Sequence, residues 1–126
     1  MNVPLSTYLF DRIELFLTCG EGWDGGTGKQ TNHVIIGRTL SLLQRIQCEN
    51  LPEPSLCMGS SGEIVILWSF RKSHDLCFEV YTDSVLYINQ LGASLHVAEL
   101  NDETLTALIE SAKKVYHGTQ EEKAAT

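Results

Sequence analysis

Apolar residues recur at helical spacing in two segments near the start of the chain. The first segment predicts a helix over residues 6–18, in which Ser6 or Thr7 supplies the N-cap. The second predicts a helix that begins at Asn32, a good N-cap, and ends near Cys48. Two prolines in the segment LPEPS then prevent the helix from continuing and favour an extended connection.

After these prolines, the helical spacing gives way to alternation of apolar and polar positions. The segments SLCMG, EIVILWSFR, LCFEVY and VLYIN are predicted strands, and LHVAEL is a candidate fifth strand at an edge. In the longest of them, Ile64, Ile66, Trp68 and Phe70 share one face because side chains alternate along a strand. The turns between the segments are short, which requires antiparallel neighbours.

The last segment has clear helix signals at both ends. Asn101 is a good N-cap, acidic residues follow it in the first turn, and Gly118 lies where the helix is expected to end. The predicted fold is therefore α+β, with two N-terminal helices, an antiparallel four- or five-stranded meander and a C-terminal helix. We expect a single α+β domain over residues 1–117 and a flexible polar tail over residues 118–126.

The second face of the predicted sheet is more apolar than a solvated face should be. It is expected to carry Val65 and Leu67 on one strand, Cys77 and Tyr81 on the next, and Val85 and Tyr87 on a third. Either a helix covers this face or the face is an exposed interaction surface. The three predicted helices could divide between the two faces, so both interpretations remain open. The partner-binding candidates on this face are Val65, Leu67, Tyr81 and Tyr87.

A glycine-rich loop follows the first predicted helix. Five glycines lie between Gly20 and Gly28, and the same segment contains Trp23 and Asp24. In a structural interpretation, Trp23 is mostly buried and anchors the loop, while Asp24 accepts hydrogen bonds from amides just ahead of it. In a functional interpretation, Trp23 and Asp24 contact a partner or a ligand. We favour the structural interpretation and keep both residues as binding candidates.

Charge narrows the classes of partner. The chain has 126 residues, with 9 Lys and Arg against 16 Asp and Glu, for a formal net charge of −7. Such a balance argues against direct nucleic-acid binding, which needs a basic surface, and against docking on anionic membranes. The N-terminal segment lacks the basic and apolar regions of a signal peptide, so we expect a cytoplasmic protein whose cysteines are free thiols.

Motifs for catalysis or cofactor binding are absent from the sequence. The segment GWDGGTGKQT is not a phosphate-binding loop, because Trp23 stands where the first glycine is required and Gln30 where a hydroxyl is required. The four cysteines lack the close pairs of a zinc site, and only Asp24 could serve a calcium loop. We therefore expect no cofactor and no metal. A Cys–His catalytic pair stays open, because such partners meet in space rather than in sequence.

The order of the motifs resembles a widespread group of short bacterial proteins of unknown function. These have a W-D-G loop after a first helix, then a second helix, a Pro-x-Pro segment, a turn with glycine and an apolar strand ending in Trp. The chain departs from that pattern in the segment TGKQTNH and at Leu67, where the group often has an acidic residue. The resemblance implies a shared fold unit and a prokaryotic or phage origin. The matching positions are Trp23, Asp24, Gly25, Pro52, Pro54, Gly62, Ile64 and Trp68.

These observations favour a small acidic protein that acts by binding another macromolecule, without catalysis. It would be a regulator, an immunity-like factor or an inhibitor carried by a mobile element, with a protein partner and with homodimerisation left open. An acidic inhibitor could occupy a basic nucleic-acid channel. The alternatives are a small-molecule-binding protein that closes its glycine-rich loop over a ligand, and an enzyme with an unrecognised Cys–His site.

Overall fold

Three helices and five strands make up the fold of the computed structural model, which describes residues 6–47, 49–71, 74–92 and 95–125. Their order along the chain is α, α, β, β, β, β, β, α, as the sequence predicts. The elements are α1 Thr7–Thr18, α2 His33–Gln47, β1 Ser55–Met58, β2 Ile64–Arg71, β3 His74–Val80, β4 Val85–Gln90, β5 His96–Glu99 and α3 Asp102–Ala125.

Each helix begins at the N-cap that the sequence predicts. The Ser6 hydroxyl accepts a hydrogen bond from the Leu9 amide at 3.2 Å, before α1. The Asn32 and Asn101 side chains accept from amides three residues ahead, at 3.0 and 2.8 Å, before α2 and α3. These bonds satisfy amide donors that have no partner within the first turn of a helix.

The end of α3 differs from the prediction. The helix does not stop at Gly118 but continues to Ala125, so the segment expected to be a flexible tail is helical. A single glycine costs a helix only about 1 kcal/mol relative to alanine. The residues that follow it, TQEEKAA, include several strong helix formers. Local propensity therefore outweighs the glycine as a stop signal.

The five strands form one antiparallel sheet in the order β1-β2-β3-β4-β5, a simple meander. The expected fifth strand is thus present, at the edge. Pairing of Ile66 with Phe78 and of Trp68 with Leu76 places the alternate apolar residues of β2 and β3 on one face. This core face is buried: Ile66, Phe78 and Leu76 are at most 1% exposed.

All three helices pack on that same face. Their buried residues join those of the strands in a single apolar cluster, which includes Leu9 and Phe16 from α1, Leu43 from α2, and Leu108 from α3. The molecule is therefore a two-layer α+β structure, with helices on one side of the sheet only.

Helix α1 also closes one edge of the sheet. The Leu56 amide in β1 donates to the Tyr8 hydroxyl at 3.4 Å, and the Leu56 carbonyl accepts from the Arg12 guanidinium at 2.9 and 3.2 Å. These side chains take the place of a further strand at β1. At the opposite edge, the side chains of β5 are all exposed.

Candidate functional site

The glycine-rich loop is closed by hydrogen bonds within itself. One carboxylate oxygen of Asp24 accepts from the amides of Gly26 at 3.0 Å and Gly28 at 2.8 Å. The Trp23 indole N–H donates to the Lys29 carbonyl at 2.9 Å. The amide donors, that of Gly28 first and that of Gly26 second, hold the pKa of Asp24 below its usual 3.8. Asp24 therefore acts as a local cap, as the structural interpretation predicts.

The loop is fixed on the turn between β1 and β2. The Lys29 amide donates to the Ser60 carbonyl at 2.8 Å, and Gly62 lies directly beneath the Gln30 carbonyl. Trp23 packs against the apolar core and is mostly buried, with a part of its surface left exposed. Its indole nitrogen binds a carbonyl of the loop itself, which keeps one edge of the ring near the surface. The contacts account for an ordered loop without any ligand.

Replacement of Asp24 with alanine is expected to destabilise the fold at neutral pH and to have no such effect in strong acid. Because the folded-state pKa is lowered, the ionised carboxylate stabilises the protein above pH 3.8. That stabilisation is lost as the pH falls through the folded-state pKa. Urea unfolding of wild type and Asp24→Ala at about pH 7 and about pH 2 measures the effect. An equal difference in unfolding free energy between wild type and Asp24→Ala at both pH values would contradict the prediction. Asp24→Asn, which keeps an acceptor oxygen, is the control.

The face of the sheet opposite the helices, here called the outer face, carries a continuous apolar row. Register brings Leu67 beside Cys77, Cys77 beside Ile88, and Ile88 beside Val97, across four strands. No described helix covers the row: Leu67 is 37% exposed and Val97 is 59% exposed. The neighbouring row adds further apolar side chains at Cys57, Val65 and Leu86. Among the described residues, the outer face is therefore left exposed or partly exposed rather than covered by a helix.

Two of the residues expected on the outer face are on the core face instead. Tyr87 pairs with Phe78, and Val85 pairs with Val80, so both point towards the helices and pack against the core. The cause is the length of the turn between β3 and β4. The Tyr81 amide donates to the Ser84 carbonyl, which leaves a two-residue turn where a three-residue turn was assumed. A shift of one residue in register moves every side chain of a strand to the other face.

The outer-face residues that the sequence analysis missed, Leu86, Ile88 and Val97, follow from the same shift. Apolar residues occupy both faces of β4, so its periodicity could not reveal which face is buried. Recognition of a two-residue turn at Thr82 and Asp83 is the signal that could have placed them. Val65, Leu67 and Tyr81 are placed on the outer side of the sheet, as predicted.

Carboxylates surround the apolar row. Asp75, Glu79 and Glu99 lie on the outer face by register, and Glu63 is one position beyond the Ile64–Val80 pair, opposite Tyr81. The Tyr81 hydroxyl donates to the Glu79 carboxylate at 3.0 Å. Burial first, and this hydrogen bond second, raise the pKa of Tyr81 to about 12. The hydroxyl therefore remains a donor at neutral pH and holds Glu79 in place.

The cationic side chains that the structure describes all lie outside this face. They belong to the helices and the glycine-rich loop, at Arg12, Lys29, Arg38, Arg45, Lys113 and Lys114. Among the described side chains, the outer face thus carries carboxylates around an apolar centre, whereas the helices and the glycine-rich loop carry both cations and carboxylates.

Cys77 is not an activated nucleophile. Cys19, Cys57 and Cys77 are free thiols, and Cys48 lies outside the described residues. Burial, followed by the charge of Glu79, raises the pKa of Cys77 to about 11. Its thiol is therefore protonated at neutral pH, whereas a catalytic cysteine needs a lowered pKa.

Within the described ranges, no three His, Cys, Asp or Glu side chains are grouped closely enough to hold a metal ion. Among the helices described, none combines the length and the apolar character needed to cross a bilayer.

Comparison with protein-family models, with curated proteins and with solved structures finds no match to this chain, so its geometry alone carries the functional argument.

Proposed function

We propose that this chain acts by binding another protein through its outer face. The observation that carries the proposal is the apolar row from Leu67 to Val97, which lies in the middle of an open sheet. A face that only contacts water is normally polar. A contiguous apolar patch with a polar border is typical of a protein-binding surface.

The charges around the row define the chemistry of the partner. Carboxylates at Glu79 and Glu99 favour a surface whose apolar centre is bordered by lysine and arginine. Nucleic acid and anionic lipid would be repelled by the same carboxylates. Two copies of the chain that met face to face would bring like charges together. Homodimerisation through this face is therefore disfavoured.

A basic partner fits the functional class expected from the sequence. Proteins that bind nucleic acid present basic surfaces, and a chain of net charge −7 is attracted to them at long range. We propose an inhibitor or regulator that occupies such a surface, with the apolar row supplying the close contact. The support for this class is the net negative charge of the chain together with the carboxylates on the outer face.

Leu67→Glu tests the proposal, because it places a carboxylate in the apolar row, at its β2 end. Leu67 is 37% exposed, so the fold should change in stability by no more than about 0.5 kcal/mol. Binding should be lost, because the new carboxylate would have to lose its water in an apolar contact that offers no opposite charge or hydrogen-bond donor to compensate it. Immobilised wild type and variant are compared by quantitative mass spectrometry of the proteins that they capture from the source cells.

Leu17→Glu is the matched control, since Leu17 is 46% exposed on α1, in the other layer. The expected result is a basic protein that wild type and Leu17→Glu retain, that Leu67→Glu does not retain, and that salt releases. The proposal is wrong if Leu67→Glu retains the same proteins as wild type. It is also wrong if wild type retains nothing more than an unrelated acidic protein does.

A further inference from the structure

A groove of about 720 Å³ lies between α2 and one end of the sheet. One wall is α2, and the other consists of the β3–β4 turn, the end of β5 and the start of α3. Ligand pockets in proteins commonly enclose about 300–1,000 Å³. The groove is thus large enough for an organic ligand, and its lining includes no residue of the glycine-rich loop.

Gly37 widens the groove from the middle of α2. Glycine is disfavoured inside helices and is usually explained by an unusual backbone angle or by a close neighbour. Neither explanation applies to Gly37: its φ is not in the left-handed region, and an added Cβ would meet no atom within 4 Å. The packing of the chain therefore leaves Gly37 unexplained, whereas a ligand in the groove would use the space.

The wall formed by α2 is cationic. Arg45 is bound to Glu49 at 2.8 Å, but Arg38 forms no ion pair or hydrogen bond with any residue that the structure describes. A guanidinium that lines a groove without a partner suits a ligand carboxylate, because it presents several N–H donors in a fixed plane.

The opposite wall is acidic. Asp83 and Asp102 line it and, within the described part of the chain, form no ion pair across the groove with Arg38. Between the walls are apolar side chains, including Val34, which is 50% exposed, and Leu105. Unpaired charges of opposite sign on facing walls, with apolar surface between them, match a ligand that carries both charges at its ends.

We propose that this groove binds a short zwitterionic peptide. The peptide carboxylate binds Arg38, the peptide ammonium binds the wall of Asp83 and Asp102, and apolar side chains cover Val34 and Leu105. This proposal does not rest on the outer face, so the two can fail separately.

The probe is the tripeptide leucyl-alanyl-leucine with free termini, followed by amide chemical shifts in the ¹⁵N-labelled full chain. Titration to about 10 mM detects any Kd near 1 mM or tighter. We expect saturable shifts confined to the groove. The N-acetylated and C-amidated forms of the same tripeptide each lose one terminal charge, and both should bind about tenfold more weakly or worse.

Two variants locate the site. Gly37→Leu fills the groove, so it should no longer bind the tripeptide. Because nothing lies within 4 Å of the new Cβ, the variant should fold with an unchanged or higher Tm. Arg38→Gln should weaken binding about tenfold or more. Lys29→Gln removes an exposed cation from the glycine-rich loop and should bind like wild type.

Three results would overturn the proposal. The first is the absence of saturable shifts in wild type, and the second is unchanged binding by Gly37→Leu. The third is binding that does not depend on the charges at the two ends of the tripeptide. None of these results would affect capture of a basic protein by the outer face, which Leu67→Glu tests independently.

Discussion

Trp68→Ala is expected to lower the free energy of unfolding by about 3–5 kcal/mol, the usual cost of removing a buried aromatic side chain. Trp68 is 2% exposed, and its ring meets the edge of Phe78 with 5.8 Å between centroids. Its indole N–H donates to the Pro52 carbonyl at 2.8 Å. The substitution therefore removes core packing and also frees the segment that connects α2 to β1.

Urea unfolding followed by circular dichroism measures this loss, with Trp68→Phe and Val97→Ala as controls. Trp68→Phe keeps most of the packing but leaves the Pro52 carbonyl without its donor, so it should cost less than Trp68→Ala. Val97 is 59% exposed, so Val97→Ala should stay within about 0.5 kcal/mol of wild type. A Trp68→Ala variant as stable as wild type would contradict the position of this ring in the core.

Gly62→Ala should destabilise the protein by at least about 2 kcal/mol, because two penalties act at the same residue. Gly62 has a φ of +84°, a conformation that disfavours any residue with a Cβ. A Cβ there would also lie 2.6 Å from the Gln30 carbonyl oxygen, which is backbone and cannot rotate away. The variant should therefore separate the glycine-rich loop from the β1–β2 turn.

Gly25→Ala is the control that isolates the steric part of this effect. Gly25 has a similar φ of +81°, but a Cβ there meets nothing within 4 Å. Gly25→Ala should lower the free energy of unfolding by about 1–2 kcal/mol, from the backbone angle alone. Limited proteolysis should cleave the loop faster in Gly62→Ala than in Gly25→Ala. Equal stability and equal cleavage in the two variants would show that the loop does not rest on Gly62.

Local signals account for most of the fold that the sequence predicts. Each helix cap depends on a hydrogen bond to an amide three residues away, so a cap can be predicted from a few consecutive residues of sequence. This holds for Ser6, Asn32 and Asn101. The buried faces of β2 and β3 follow from strict alternation. The end of α3 could not be predicted from Gly118, because one unfavourable residue was weighed against several favourable ones that follow it.

The candidate site depends on longer-range geometry, and its prediction was correspondingly less complete. Val65 and Leu67 could be assigned to the second face of the sheet, but local pattern does not say on which side three helices will pack. Tyr87 was misplaced because the register of β4 depends on one residue in a turn. The groove beside Gly37 combines residues from separate elements, and no sequence motif connects them.

The unequal edges of the sheet limit how copies of this chain could polymerise. A filament built by strand addition needs two complementary free edges on every subunit, so that β5 of one copy can pair with β1 of the next. Tyr8 and Arg12 already occupy the outward backbone groups of Leu56, which removes the β1 edge from such growth. Only β5 edges could pair with one another, and that pairing stops at two copies. The contact between α1 and β1 therefore protects the folded protein against fibre formation through its sheet.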